Sequence, residues 1–289
     1  SESTWYGTTT HYKELTKKMS KQEVHTHSIK ADYDVNIEFL GYSKAEIAVH
    51  STGTGDVIIN GDLLNSNGTT TIISGGAIES ATDSVVTGKH IVLMAATDIG
   101  SAGALSVTNG VVIGAASPLN IDLTDDVDAS LKVTTEGGRV HIKEIYGDLT
   151  IDQITAISAA DIANKTGYDI TLESDGNIEA ASGKIGLIQG GTLVLLTNGG
   201  IGESGQRLQL NSGSQQHDSV SIYAKGDVYL EETTGDLRLR EIIAKTYNVD
   251  LLISAGALVD GNNSSVRDER TITQLKGGLW TDLGLTADT

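Results

Sequence analysis

Three groups of side chains in this sequence have the types and spacing to do chemistry. His25 and His27 alternate across Thr26, so a strand would carry both imidazoles on one side. With His11 opposite on a paired strand they could form a three-nitrogen metal site, although no carboxylate is placed to complete it. An exposed polar hairpin face is the simpler reading. Asp122, Asp125, Asp126 and Asp128 cluster beside Pro118 and could hold a calcium ion through several carboxylates. Neither an EF-hand loop nor a glycine-rich calcium nonapeptide is present, so a solvated acidic turn explains the cluster more simply. The third group is aromatic. Trp5, Tyr6 and Tyr12 lie in one short segment, and such residues suit recognition because they bury large area at little entropic cost. Trp5, Tyr6, His11, Tyr12, His25 and His27 are therefore the expected contact residues, with an end cap or lateral protrusion as the competing role for the segment.

Nothing in the sequence assembles a catalytic centre. No Ser-His-Asp arrangement, phosphate loop or zinc signature emerges, so no catalytic residues are expected and the chain is read as a non-enzyme without a cofactor. Asp and Glu are spread over nearly the whole length, so some would line up on any repeating scaffold by chance.

The elements that must carry these groups follow from a recurring phrase. Gly147-Asp148-Leu149-Thr150-Ile151, Gly226-Asp227-Val228-Tyr229-Leu230 and Gly235-Asp236-Leu237-Arg238-Leu239 share one pattern, and Gly55-Asp56-Val57-Ile58-Ile59 repeats it with an apolar centre. Looser copies open at Val111, Ile121, Leu131 and Val140, which gives a spacing of about ten residues up to Leu149. Val140-His141-Ile142, Ile170-Thr171-Leu172, Leu208-Gln209-Leu210 and Val220-Ser221-Ile222 alternate apolar and polar, as strands with one buried face do. Ile91-Val92-Leu93, Val111-Val112-Ile113 and Leu193-Val194-Leu195 are unbroken apolar triplets, which predicts corners or strands covered on both sides. Antiparallel hairpins could produce the same spacing. Short strands that resemble one another in detail favour a parallel β-helix, where like residues stack on like. The prediction is an all-β solenoid of roughly twelve coils of about twenty residues, some 55–60 Å long.

Composition agrees. There are 34 glycines and one proline, so turns are plentiful and little interrupts a hydrogen-bonded ladder. Aromatic content is only 4%, as expected when stacked aliphatic residues form the core. A net charge of −18 argues against nucleic acid or an anionic membrane as partner, and no run approaches the roughly 18 apolar residues of a membrane helix. Cysteine is absent, which suits a large exported chain or a genome in which it is rare. Residues 1–50 hold six of the twelve aromatics and four of the seven histidines, with six Lys against seven Asp or Glu. From Ser51 onward the chain is Gly-, Asn-, Thr- and Ile-rich. We therefore expect a boundary near 48–54, with a β-hairpin-like extension or cap over 1–50 (strands about Thr4–Lys13 and Glu23–Ala31) and a rod over 51–289. The chain opens on Ser1 without a basic and apolar leader, so a signal peptide would be absent or lie upstream of what reads as a segment of a longer protein.

Ile29-Lys30-Ala31-Asp32-Tyr33, Ile37-Glu38-Phe39-Leu40-Gly41-Tyr42, Gly55-Asp56-Val57-Ile58-Ile59-Asn60-Gly61 and the run from Gly68-Thr69-Thr70 to Ala77-Ile78-Glu79 together resemble the repeat unit of leukotoxin-type filamentous adhesins. These are very large exported bacterial surface proteins similar in build to filamentous haemagglutinins. The resemblance is specific over 29–80 and generic β-helix texture beyond; the secretion domain of such exoproteins is not visible in this sequence. It implies a right-handed parallel β-helix acting as stalk and adhesive surface, located outside the cell or on its surface. The implied partners are a receptor, a glycan, a neighbouring bacterium or matrix, together with adjoining repeats of the parent chain. The rival reading is a β-helical polysaccharide lyase or glycoside hydrolase, which would need convergent carboxylates and sugar-stacking aromatics along a groove. Past residue 50 only Tyr146, Tyr168, Tyr223, Tyr229, Tyr247 and Trp280 could supply the latter.

Overall fold

A computed structural model describes residues 25–29, 32, 34–37, 42–43, 46–65, 67–81, 83–100, 105–108, 111–114, 117–158, 167–215, 217–244 and 247–261. They form a right-handed parallel β-helix without a helical element. One sheet stacks ten strands along a single path, from His25–Ile29 through Glu46–Ser51, Thr69–Ser74, His90–Ala95 and Ser130–Thr135 to Val249–Ile253. A second stacks eight, among them Leu119–Leu123, Val140–Glu144, Ile170–Ser174 and Leu193–Thr197. A third holds Val35–Ile37, Val57–Ile59 and Ile78–Ser80. Each chain turn lays one strand on each face, and the next turn pairs with it in parallel.

The regular advance is 21 to 23 residues, as where His25 lies beside Ile47, Glu46 beside Thr69 and Thr69 beside His90. The ten-residue spacing in the sequence is therefore the step from one face to the next. Two long excursions break it, besides a shorter one in which Leu193 pairs with Val220. His90 pairs with Ser130, 40 residues on, and Gln153 with Leu187. The first excursion carries Leu105–Thr108 and Val111–Gly114, an antiparallel hairpin that is not part of the coil ladder. Val111 is thus no coil repeat, and the prediction of twelve coils counted residues that leave the stack. Ten strands at about 4.8 Å spacing give a described rod of roughly 43 Å.

The core consists of columns. Val35, Val57, Ile78, Ile99, Val140, Ile170, Leu193, Val220 and Leu239 lie one above another through successive coils. From Val57 onward every member is at most 4% exposed. Aliphatic side chains on neighbouring rungs meet at the strand spacing and leave no room for water, so few aromatics are needed. Two of the three apolar triplets turn out to alternate: Val92 and Val194 are half-buried between fully buried Ile91, Leu93, Leu193 and Leu195. They are ordinary strands rather than corners.

The Gly-Asp phrase has a specific cause. At several corners the Asp carboxylate accepts the backbone N–H of the equivalent corner in the next coil. Asp56 Oδ1 accepts from Ala77 at 2.7 Å, Asp98 from Arg139 at 2.6 Å, Asp148 from Asn177 at 2.6 Å, Asp227 from Asn248 at 2.8 Å and Asp236 from Ala257 at 2.9 Å. Asn177 continues the series by accepting from Gly200 at 2.8 Å. The side chain thus serves a corner N–H where the chain turns away from its sheet partner. Where glycine precedes the acceptor the space can be needed, although Thr97 precedes Asp98. A Cβ at Gly176 would overlap the Gly147 carbonyl oxygen and the Asp148 carboxylate of the coil below.

The compositional change near 48–54 is not a break in the stacking. His25–Ile29 pairs in parallel with Glu46–Ser51, and Val35–Ile37 with Val57–Ile59, so coils run through it. Residues 1–24, which include the expected first hairpin strand, lie outside the described residues.

Candidate functional site

The strands Leu119–Leu123 and Val140–Glu144 stack in parallel, with Leu119 beside Ile142 and Ile121 beside Glu144. Each then turns a corner, at 124–129 and 145–148, and stacking places the two corners side by side. The lower corner is closed by the Asp126 N–H donating to the Thr124 carbonyl at 2.7 Å and the Ala129 N–H to the Asp126 carbonyl at 2.9 Å. The upper corner is held by Glu144. Its Oε2 accepts the Leu123 N–H of the coil below at 2.9 Å, and Oε1 accepts the Tyr146 N–H at 3.1 Å.

Glu144 is fully buried, and burial pushes its carboxyl up to about 8. The N–H groups of Leu123 and Tyr146 pull in the opposite direction, and the nearby Asp122 charge adds to the rise. The corner leaves Tyr146 facing solvent, 68% exposed. Between the corners and the earlier coils lies a groove of about 640 Å³ lined by Leu64, Thr87, Asp122, Thr124, Asp125 and Tyr146. The Asp122 carboxyl is raised, first by partial burial and then by the Asp125 charge.

This geometry divides the four aspartates that sequence places together. Asp122 and Asp125 line the groove. Asp126 and Asp128 instead engage Lys89, whose Nζ lies 3.6 Å and 2.6 Å from their carboxylates. That hydrogen bond lowers the Asp128 carboxyl and raises the Lys89 ammonium. The four do not converge on one point, and no group of three or more His, Asp or Glu among the described residues could hold a metal ion. Of the four carboxylates in the calcium reading of Asp122, Asp125, Asp126 and Asp128, Lys89 engages two.

Of the expected contact residues, Trp5, Tyr6, His11 and Tyr12 lie outside the described residues. His25 and His27 are on the first strand, registered with Ile47 and Val49.

Two other places have chemical character. A second groove of about 370 Å³ is lined by Lys184, Ile185, Arg207, Glu231 and Leu252 among others. Its cations are engaged, Arg207 with Asp250 at 2.6 Å and Lys184 with Asp152 at 3.3 Å. His141 Nε2 lies 2.7 Å from Glu173 Oε1, a dyad of the kind that orients a general base. The ring is only 3% exposed, and its Nδ1 is shielded without a hydrogen-bond partner, so no substrate reaches it.

No protein-family model, curated protein or solved structure matches this chain.

Chemically, the groove offers a half-buried carboxylate, an exposed one, a shielded hydroxyl and an exposed ring. Glu144, the carboxyl with the most perturbed acidity here, is sealed beneath it and held by the backbone. Glu144, whose carboxyl burial pushes up, does not line the groove. Sequence reading missed the link between Tyr146 and the aspartates because they are far apart along the chain. The signal was the coil advance itself: Leu123 and Glu144 are 21 residues apart and hydrogen-bonded, so 124–125 and 146 must be neighbours.

Proposed function

We propose that this chain is a β-helical stalk segment of a giant bacterial filamentous adhesin, secreted or held at the cell surface, that mediates attachment to host cells, other bacteria or matrix. The observation that carries the reading is the continuous aliphatic column from Val35 to Leu239, wrapped in parallel ladders and latched at its corners by aspartates. Such a rod gives length and stiffness while pairing nearly every strand edge with its neighbour. The resemblance of residues 29–80 to filamentous adhesins supports the same conclusion. Contact with a receptor or glycan is assigned to Trp5, Tyr6, His11, Tyr12, His25 and His27, and neighbouring repeats of the parent chain extend the rod.

One observation favours the enzymatic alternative, a carbohydrate-active β-helix: the groove carrying Asp122, Asp125 and Tyr146. The burial of Glu144 weighs against turnover there.

The test is adhesion of beads coated with the full chain to cultured cells and to arrayed glycans, beside a Trp5→Ala/Tyr6→Ala/Tyr12→Ala variant. The proposal expects saturable attachment that falls at least several-fold in the variant. Absence of attachment to every surface would remove the adhesive role.

A further inference from the structure

We propose that the outer face of the ten-strand sheet is a pairing surface for a second copy of this chain, the two rods lying antiparallel with the strand Leu187–Gln189 on the dyad. The inference stands apart from the adhesive reading, since a spacer or an enzyme could pair in the same way.

The first support is where charge is missing. Side chains alternate inward and outward on this sheet, so Ile91 and Leu93 are buried while Val92 faces out. The strands Thr69–Ser74, His90–Ala95, Ser130–Thr135, Leu149–Ala156, Leu187–Gln189 and Leu208–Asn211 contain a single carboxylate, Asp152, which Lys184 engages at 3.3 Å. The whole chain carries 38 Asp and Glu and a net charge of −18. Two such chains repel one another over most of their surface, and a strip almost free of carboxylates is where they can approach. Apolar side chains stand on it: Ile185 is 63% and Leu252 43% exposed.

The second support is self-complementarity, which follows from the register. On successive strands Val92 lies beside Lys132, Lys132 beside Gln153, Gln153 beside Leu187, Leu187 beside Gln209, Gln209 beside Glu231 and Glu231 beside Leu252. A dyad along Leu187–Gln189 sets each strand before it against the strand equally far beyond it. Leu187, with Ile185 just before it, then meets its own copy. Lys132, two strands to one side, meets Glu231, two strands to the other, and Val92 meets Leu252. Lys132 is exposed and forms no ion pair among the described residues, while Glu231 brings the opposite charge, its Oε1 accepting the Ser254 hydroxyl at 2.6 Å. Rods paired in the parallel sense would set Lys132 level with Lys132 and Glu231 level with Glu231. The charges therefore select the antiparallel arrangement.

Area is the third support. The strands from His90–Ala95 to Val249–Ile253 span roughly 29 Å along the rod, and five or six residues span about 18 Å across it, so a pair covers about 1,000 Å² in total. That meets the lower bound for a specific interface and predicts a weak, concentration-dependent dimer.

The experiment is analytical ultracentrifugation of the full chain, from low micromolar to several hundred micromolar, at physiological salt. The proposal expects a reversible monomer–dimer equilibrium. Lys132→Glu and Glu231→Lys, each checked for an unchanged unfolding midpoint, should each weaken it by roughly tenfold, because two ion pairs per dimer turn repulsive. The double variant Lys132→Glu/Glu231→Lys should restore it. Ile185→Glu sets two carboxylates against each other on the dyad and should abolish it. The chain has no cysteine, so a short bis-maleimide reads the arrangement. A mixture of Val92→Cys and Leu252→Cys chains should cross-link as the mixed dimer, and Val92→Cys chains alone should not. A monomer at every concentration would overturn the proposal and leave the face to a foreign partner. A dimer untouched by Ile185→Glu and by both charge reversals would place pairing elsewhere and overturn it too. Cross-linking of Val92→Cys chains to one another would overturn the antiparallel arrangement.

Discussion

Glu144 shows how a single side chain can set the pH response of a rod. Its carboxyl has a folded value of about 8 against an ordinary 4.5, so between these the folded state holds a proton that the unfolded state has released. The stability it supports is fully present below about pH 4.5 and is lost as pH rises through about 8. The effect is on the order of a few kcal/mol, because each tenfold change in proton affinity is worth about 1.4 kcal/mol. Glu144→Gln removes the titration but turns an amide N–H₂ toward a backbone N–H. Urea unfolding should therefore find the variant less stable than the parent at pH 5, with the gap shrinking toward pH 9. A gap independent of pH would mean that Glu144 is ionised throughout. Asp56 provides a second case. Asp56→Ala orphans the Ala77 N–H, which is 6% exposed as part of its residue, and should cost about 1–3 kcal/mol. Asp56→Asn keeps the acceptor and removes a charge that raises Glu79, so its unfolding midpoint at neutral pH should equal or exceed the parent's.

At the scale of the strand, the columns carry the stability. Ile99 is 1% exposed and joins Ile78 to Val140 at the point where the chain leaves the stack and the advance to the next coil lengthens to 40 residues. Ile99→Ala should cost about 2–5 kcal/mol, whereas Val92→Ala, half-buried on the outer face of its strand, should cost well under half as much. Denaturant midpoints of the two variants check the contrast. The same scale explains what the sequence disclosed. The Gly-Asp phrase, the alternation at Val140 and Ile170 and the scarcity of proline identify stacked parallel coils, because several coil corners reuse the same side-chain acceptor and, as at Gly176, the same missing Cβ. The hairpin at Leu105–Thr108 and Val111–Gly114 was hidden because alternation and an Asn-Gly pair look alike in a hairpin and in a coil. The compositional change near 50 does not interrupt the stacking, because the column through Val35 and Val57 runs across it. In the groove, the aspartates were visible as residues but not as a site. Which of them meet Tyr146 depends on the coil advance, while Lys89 claims the other two through a contact that also crosses coils.

At the scale of the molecule, the chain spends its apolar residues on one narrow interior and displays carboxylates along its length. Parallel pairing carries the fold from residue 25 to residue 261. On the proposed reading such an object holds surfaces apart or together, whereas on the rival one it carries a reaction in a groove. The measurement that decides between these is mass spectrometry of the solution left after the full chain has been incubated with the cells and glycans it binds. The account predicts that the chain stays attached and that no oligosaccharide is released beyond a protein-free control. Time-dependent release of saccharide fragments would contradict it and make the groove an active site.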